Sequence, residues 1–259
     1  MSPHGWRAVD YQTVRPETDM TKTTSLALAL LALFSVSSCS REPVPTYDLV
    51  IANGRVMDPE SGLDAVRHVG VRGGTIEAVS ETPLEGARVI DATGHVVAPG
   101  FIDLHEHGQQ DESYRMMVRD GVTSAFELEV GTGDVPAWYA EREGGQIVNY
   151  GVSIGHIKVR MKVLGDPSTG LLPAGVGGSG TATEEQLVEM EHLLRKGLED
   201  GAVAMGFGSA YTPGAPMAEF ERMFRVAAEG RASSHIHMRG GVEGLDETIA
   251  AAKEVNVTM

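Results

Sequence analysis

The sequence predicts an α/β fold in two parts: a small β domain over residues 47–95, then β/α units with a parallel sheet over residues 96–259. Three observations lead there. From Val96 onward, short apolar strand segments alternate with stretches of helical periodicity, the pattern of strands joined by crossover helices. Before Val96 there are only short strands separated by turn signals. The 259 residues, 42% of them hydrophobic, suffice for one sizeable globular domain and a smaller accessory one. The formal charge is −15, from 36 acidic and 21 basic residues. Such a chain lacks the concentrated positive field that phosphate binding needs, which argues against a nucleic-acid partner and leaves a small molecule as the default. The acidity by itself reads equally well as a solubility device.

The N-terminal stretch is of another kind. Lys22 precedes an apolar run from Leu26 to Phe34 that is too short to span a bilayer and reads as the core of a signal peptide. Val36-Ser37-Ser38-Cys39 resembles the lipobox of bacterial lipoproteins, in which the cysteine is acylated and becomes the mature N-terminus. Cys39 is the only cysteine, so no intrachain disulfide can form. Residues 1–39 are thus expected to be upstream residues and a lipoprotein signal starting at Met20, and residues 40–46 a tether. Ser40 favours the outer membrane. The expected location is the periplasmic side of a bacterial membrane, held by a lipid anchor. A buried helix with an incidental cysteine is the alternative.

In chain order, Tyr47 to Ile51 predicts a strand ended by the turn dipeptide Asn53-Gly54. Further strands are predicted at Val69 to Val71, Thr75 to Val79 and Arg88 to Asp91, parted by Gly73-Gly74 and by Pro83 to Gly86. The parallel sheet is predicted to use Val96 to Leu104, Val122 to Glu129, Val148 to Gly155, Ala202 to Phe207 and Ala232 to Met238. Thr183 to Asp200 is the strongest helix: Leu187, Met190, Leu193, Leu194 and Leu198 recur at helical spacing, Thr183 can cap its start, and Gly201 ends it. Ala218 to Glu229 and Leu245 to Glu254 predict two more, and Val255 to Met259 the start of another strand.

The first chemical signal is His105 and His107 at the end of an apolar strand. Residues two apart on a strand face the same side, so both imidazoles can reach one metal ion; a pair of surface histidines beside a turn is the plainer reading. Zinc suits imidazole nitrogen and carboxylate oxygen together. The decapeptide Ala98-Pro99-Gly100-Phe101-Ile102-Asp103-Leu104-His105-Glu106-His107 closely resembles the first barrel-strand motif of the amidohydrolase superfamily, metal-bearing TIM barrels with an accessory β-sandwich. Gly121 to Gly131 is similar to the second-strand region of the N-acyl-D-amino-acid deacylases (D-aminoacylases). There the family usually has a metal-bridging cysteine, and this chain has Glu127 and Glu129 instead. Glu129 is the expected bridging ligand, with Glu127 either supporting it or facing solvent.

The resemblance continues in order. Gly151 to His156 looks like the third-strand segment and puts His156 on the substrate side, unless it is a satisfied structural histidine. Gly201 to Gly214 looks like the segment whose tyrosine contacts the substrate carboxylate, a role that falls to Tyr211 if it is not simply a loop anchor. Ser233 to Gly240 is similar to the fifth-strand ligand segment, with His237 as ligand and His235 as the alternative if the register slips.

The resemblance spans about residues 47–259. It implies a partial (β/α)8 barrel of about five to six strands with a partial β-sandwich portion, one or two zinc ions on His105, His107, Glu129 and His237, and a small N-acyl amino acid or related amide as substrate. It also implies a sixth-strand histidine and a general-base aspartate that are expected beyond residue 259, so the chain reads as truncated and no general base is assigned within it. Hydrolysis of a cyclic amide, dipeptide or lactone is a second reading, and a non-catalytic lipoprotein binding module a third. Acyl group, side chain, stereochemistry and oligomeric state are not readable from the sequence.

Overall fold

A computed structural model describes residues 47–108, 110–255 and 258–259; the expected signal segment, the tether and Cys39 lie outside the described residues. The chain begins with β1 (Tyr47–Asp58), β2 (Leu63–Arg72), β3 (Thr75–Ser80), β4 (Gly86–Asp91) and β5 (Val96–Val97). They form one mixed sheet in the order β3-β2-β1-β4, with β5 also on β1. β1, β2 and β3 are antiparallel neighbours, while β4 and β5 run parallel to β1.

Asn53-Gly54 does not turn the chain as the dipeptide predicts. The partners of Ile51 and Gly54 are Val69 and Arg67, so β1 carries one extra residue there, a β-bulge. Asn53 takes the left-handed conformation (φ 63°) that Asn tolerates. Gly54 is required beside it, because a Cβ would lie 2.4 Å from Val97 Cγ2. The strand therefore bends and continues to Asp58. Gly73-Gly74, by contrast, makes the expected two-residue hairpin, both residues having positive φ (57° and 79°).

The second sheet comprises β6 (Phe101–Asp103), β7 (Val122–Thr132), β8 (Asn149–Gly155), β9 (Met205–Gly208) and β10 (Ser234–His237). All neighbours are parallel, in the order β10-β9-β8-β7-β6, and the sheet is curled as part of a barrel. The single strand expected from Val96 to Leu104 is divided at Ala98-Pro99-Gly100: β5 joins the first sheet and β6 the second. Proline lacks the N–H that an unbroken ladder would use. The helices are α1 (Asp111–Arg119), α2 (Val135–Ala140), α3 (His156–Leu164), α4 (Val176–Ser179), α5 (Glu184–Glu199), α6 (Met217–Glu229) and α7 (Val242–Val255).

The α5 helix follows its sequence closely. Thr183 and Gln186 make a reciprocal capping box, and Met190 and Leu194 are fully buried. Ile154, Met190, Leu194, Phe207, Phe220 and Phe224 belong to one core between the sheet and its helices. The strand expected from Val255 is described only in part: α7 ends at Val255, and Ser234 N donates to Thr258 O at 2.8 Å, which sets the last residues beside β10. Among the described residues no helix is long and apolar enough to cross a membrane.

Candidate metal centre

Parallel strands carry their working residues at their C-terminal ends, and four of the predicted ligands meet there. His105 follows β6, and its N–H donates to Asp103 Oδ1 at 3.0 Å. Its Nε2 lies 2.9 Å from Glu129 Oε2. His107 Nε2 lies 3.2 Å from the same oxygen, and the two rings stand edge to face, with centroids 4.9 Å apart. The donor atoms of His105, His107 and Glu129 all fall within 4.8 Å of one another. His237, the last residue of β10, brings Nδ1 to 3.1 Å from the other oxygen, Glu129 Oε1.

Glu127 and Glu129 both turn inward because an extended chain repeats every two residues. Beyond Glu127 the β7 strand bulges, with the register against β8 jumping from Glu127↔Val152 to Thr132↔Ile154. The bulge is held by Glu127 itself, whose Oε1 accepts N–H groups from Val130 (3.1 Å) and Gly131 (3.2 Å). Glu127 Oε2 lies 2.5 Å from His107 Nδ1. An ionised carboxylate can only accept, so this contact keeps the proton on Nδ1 and turns Nε2 towards Glu129, the support that ligand imidazoles usually receive.

Glu129 and Glu127 side chains are only 4% and 6% exposed, so their charge is poorly served by water. Glu129 Oε1 is buried without an aligned hydrogen bond, despite the nearby His237 nitrogen. Burial opposes charging of His107, but its hydrogen bond to Glu127 and the charges of Glu127 and Glu129 outweigh it and raise its pKa. The cluster therefore draws positive charge, and its donor set of imidazole nitrogens and carboxylate oxygens fits a zinc ion. Tyr211 completes the rim, with its hydroxyl 3.0 Å from His237 Nδ1. Burial and then the Glu129 charge push its pKa up, so the phenol stays neutral.

The other predicted residues are placed differently. His235 is half-buried, with Nε2 3.1 Å from Ser233 Oγ, and stands apart from the His105, His107 and Glu129 group. His156 was expected on the substrate side; it is fully buried at the start of α3, with Nε2 2.8 Å from Glu219 Oε1. Its ring packs against Phe207 and Phe220. Arg160, also fully buried, donates to the same Glu219 oxygen and to the carbonyls of Gly177 and Gly180. The strand end that suggested a substrate contact is covered by α6, which brings in Glu219, a partner that local sequence around His156 gave no means of finding.

No protein-family model matches the chain. It is 30% identical over 242 residues to the N-acyl-D-glutamate deacylase of Alcaligenes xylosoxydans xylosoxydans, covering 80% of this chain and 47% of that one. The D-aminoacylase of the same organism is 27% identical over 252 residues, covering 82% and 49%. Among solved structures, the N-acyl-D-glutamate deacylase of Bordetella bronchiseptica, complexed with zinc and a phosphonate inhibitor, superposes with a TM-score of 0.70 at 27% identity, covering 82% of this chain and 50% of that one. The chain spans about half the length of the curated relatives it matches.

Proposed function

This chain is homologous to the N-acyl-D-glutamate deacylases and D-aminoacylases of the amidohydrolase superfamily over about 80% of its length, and from that premise we propose that it carries one part of a metal-dependent amide hydrolase that deacylates N-acyl amino acids, D-configured ones by analogy with those relatives. The observation that carries the proposal is the Glu129 carboxylate, which meets His105 and His107 at one oxygen and His237 at the other. Those four side chains would hold one or two zinc ions. Bound there, zinc supplies Lewis acidity, polarising an amide carbonyl and making water acidic enough to attack near neutral pH.

The protein's own groups do the rest of the assigned work. Glu127 fixes the His107 tautomer and orientation through Nδ1. We assign the neutral Tyr211 hydroxyl to the substrate carboxylate, a role supported by its position 3.0 Å from His237 Nδ1. No general base is assigned within the described residues. We also propose that acylation at Cys39 holds the protein at the periplasmic face of a bacterial membrane, a reading supported by the Val36-Ser37-Ser38-Cys39 motif.

The test uses the protein in its full reading frame. Purified protein should contain zinc by mass spectrometry and release carboxylate from a panel of N-acetyl D- and L-amino acids, and Glu129→Gln should remove both properties. Turnover of cyclic amides or lactones instead would favour the other amidohydrolase chemistries. Absence of both metal and turnover would leave a binding module.

A further inference from the structure

β10 is a poor mount for a metal ligand. It is four residues long, lies at one edge of its sheet, and among the described strands pairs with β9 alone; His237 is its last residue, opposite Gly208. An edge strand that ends at the ligand has no further ladder bonds to fix the backbone beyond it, and the His237 side chain is 44% exposed. Order at this position has to come from elsewhere.

It comes from a single turn of 3-10 helix, Ser209–Tyr211, that directly follows β9. Ser209 has no exposed surface. Its Oγ accepts the Arg239 N–H at 2.9 Å and lies 3.5 Å from the His237 carbonyl oxygen, to which its own proton can go. One hydroxyl thus takes the place of the next rung of the ladder, on both sides of Met238. The Arg239 guanidinium anchors the same segment further out, on Ala215 O at 3.0 Å and on the Glu247 carboxylate of α7 at 3.1 Å. The other end of the turn holds the ring: Tyr211 packs against the His237 imidazole with centroids 4.6 Å apart. Gly208 leaves the space for it, since a Cβ there would lie 2.8 Å from Tyr211 Cδ2.

We propose that Ser209 is a positioning residue for the metal centre, and that the 3-10 turn is a two-point clamp on His237: Ser209 on the backbone, Tyr211 on the ring. The inference rests on the metal-dependent reading above, in which His237 is a ligand. A ligand already held in place loses less freedom when an ion binds, so the clamp strengthens binding without touching the ion. The His105 and His107 half of the centre does not depend on it, because those two histidines follow β6 at the opposite edge of the sheet. A Ser209 that merely fastened the chain would stabilise the fold and leave metal affinity alone.

The experiment measures zinc affinity by chelator competition on the full-length protein as wild type, Ser209→Ala, Ser209→Thr, His237→Ala, and Ser209→Ala combined with His237→Ala. Ser209→Ala should weaken zinc binding about 10- to 100-fold, the usual worth of a group that orients a ligand, and Ser209→Thr, which keeps the hydroxyl, should recover most of it. In the His237→Ala background the same Ser209→Ala change should alter the affinity by less than about twofold, because the residue it acts through is gone. Affinity within about twofold of wild type in Ser209→Ala, or an undiminished further loss in the double variant, overturns the clamp and leaves the metal centre standing. If His237→Ala itself leaves zinc affinity unchanged, the ligand assignment fails and the clamp with it. Should Ser209→Ala not fold, a measurement on the unaltered protein decides. By reciprocity, a contact that tightens the ion is itself tightened by the ion, so zinc loading should slow hydrogen exchange at the Arg239 amide by about tenfold or more. Exchange that zinc does not change overturns the proposal.

Discussion

Replacing Glu219 by Ala removes the one carboxylate that two buried basic side chains share. Arg160 and His156 have no exposed surface, and Glu219 is 1% exposed. Truncating one member of such a group costs about 3–5 kcal/mol, because a buried charge is left uncompensated. For a domain of this size that corresponds to a fall in Tm of roughly 6–20 °C. Arg160 also donates to the Gly177 and Gly180 carbonyls, so the loss should spread to the segment around α4, read as faster amide exchange there. The assay is paired thermal and urea unfolding of wild type, Glu219→Ala, and Arg160→Met with Glu219→Leu. The double variant should be less destabilised than Glu219→Ala, since a buried pair replaced by apolar groups is often near neutral.

The pH dependence has a definite sign. Burial opposes ionisation of Glu219, but the His156 and Arg160 contacts outweigh it and hold its pKa below the ordinary 4.5. A depressed folded-state pKa contributes stability that is complete above the unfolded value and drains away as pH falls through the lower folded value. Glu219→Ala should therefore flatten the acid limb of the stability curve. A loss below about 1 kcal/mol, which is the range of exposed pairs, or a double variant worse than the single one, would refute the buried-charge reasoning.

Three further outcomes are expected. Glu127→Gln should weaken zinc binding about 10- to 100-fold in a chelator competition, as loss of the group that orients a ligand histidine does. Gly155→Ala should destabilise the barrel sheet by about 1–3 kcal/mol in urea unfolding, because its Cβ would fall 1.8 Å from the Val130 carbonyl oxygen. Cys39→Ser should abolish incorporation of radiolabelled palmitate and release the protein from the membrane fraction, and unchanged labelling would dispose of the lipid anchor.

How much was legible beforehand depended on how local each cause is. The α5 helix announced itself because its apolar residues recur on one face between a capping Thr183 and Gly201. His105, His107, Glu129 and His237 could be nominated because each falls in a recognisable segment at or beside a predicted strand, and the structure brings the four side chains together. What misled was punctuation. Asn53-Gly54 is as consistent with a bulge as with a turn, and only pairing across β1 and β2 decides it. The α3 helix was missed since Ile157, Val159, Met161 and Val163 alternate with Lys158, Arg160 and Lys162, a period of two that reads as strand, and β-branched residues favour strand as well. The β7 bulge that aims Glu127 back at its own backbone depends on Gly131 at φ 65°, a conformation that a lone glycine in an apolar run does not announce. His156 took its true partner from a residue in α6, a contact set by tertiary packing alone.

β6 and β10 are the two edges of the five-stranded sheet, yet histidines from the ends of both arrive at opposite oxygens of Glu129 on β7. Cations held at both oxygens would cross-link the first and last strands of the arc through the second. Such a tie closes the chain between residues 105 and 237, a loop long enough that the chain-entropy estimate for a covalent link of this span is on the order of 4–5 kcal/mol. Metal loading and stabilisation of the sheet's curvature would then be one thermodynamic event, and ions held by His105, His107, Glu129 and His237 would act as a keystone for the arc as well as its chemical centre.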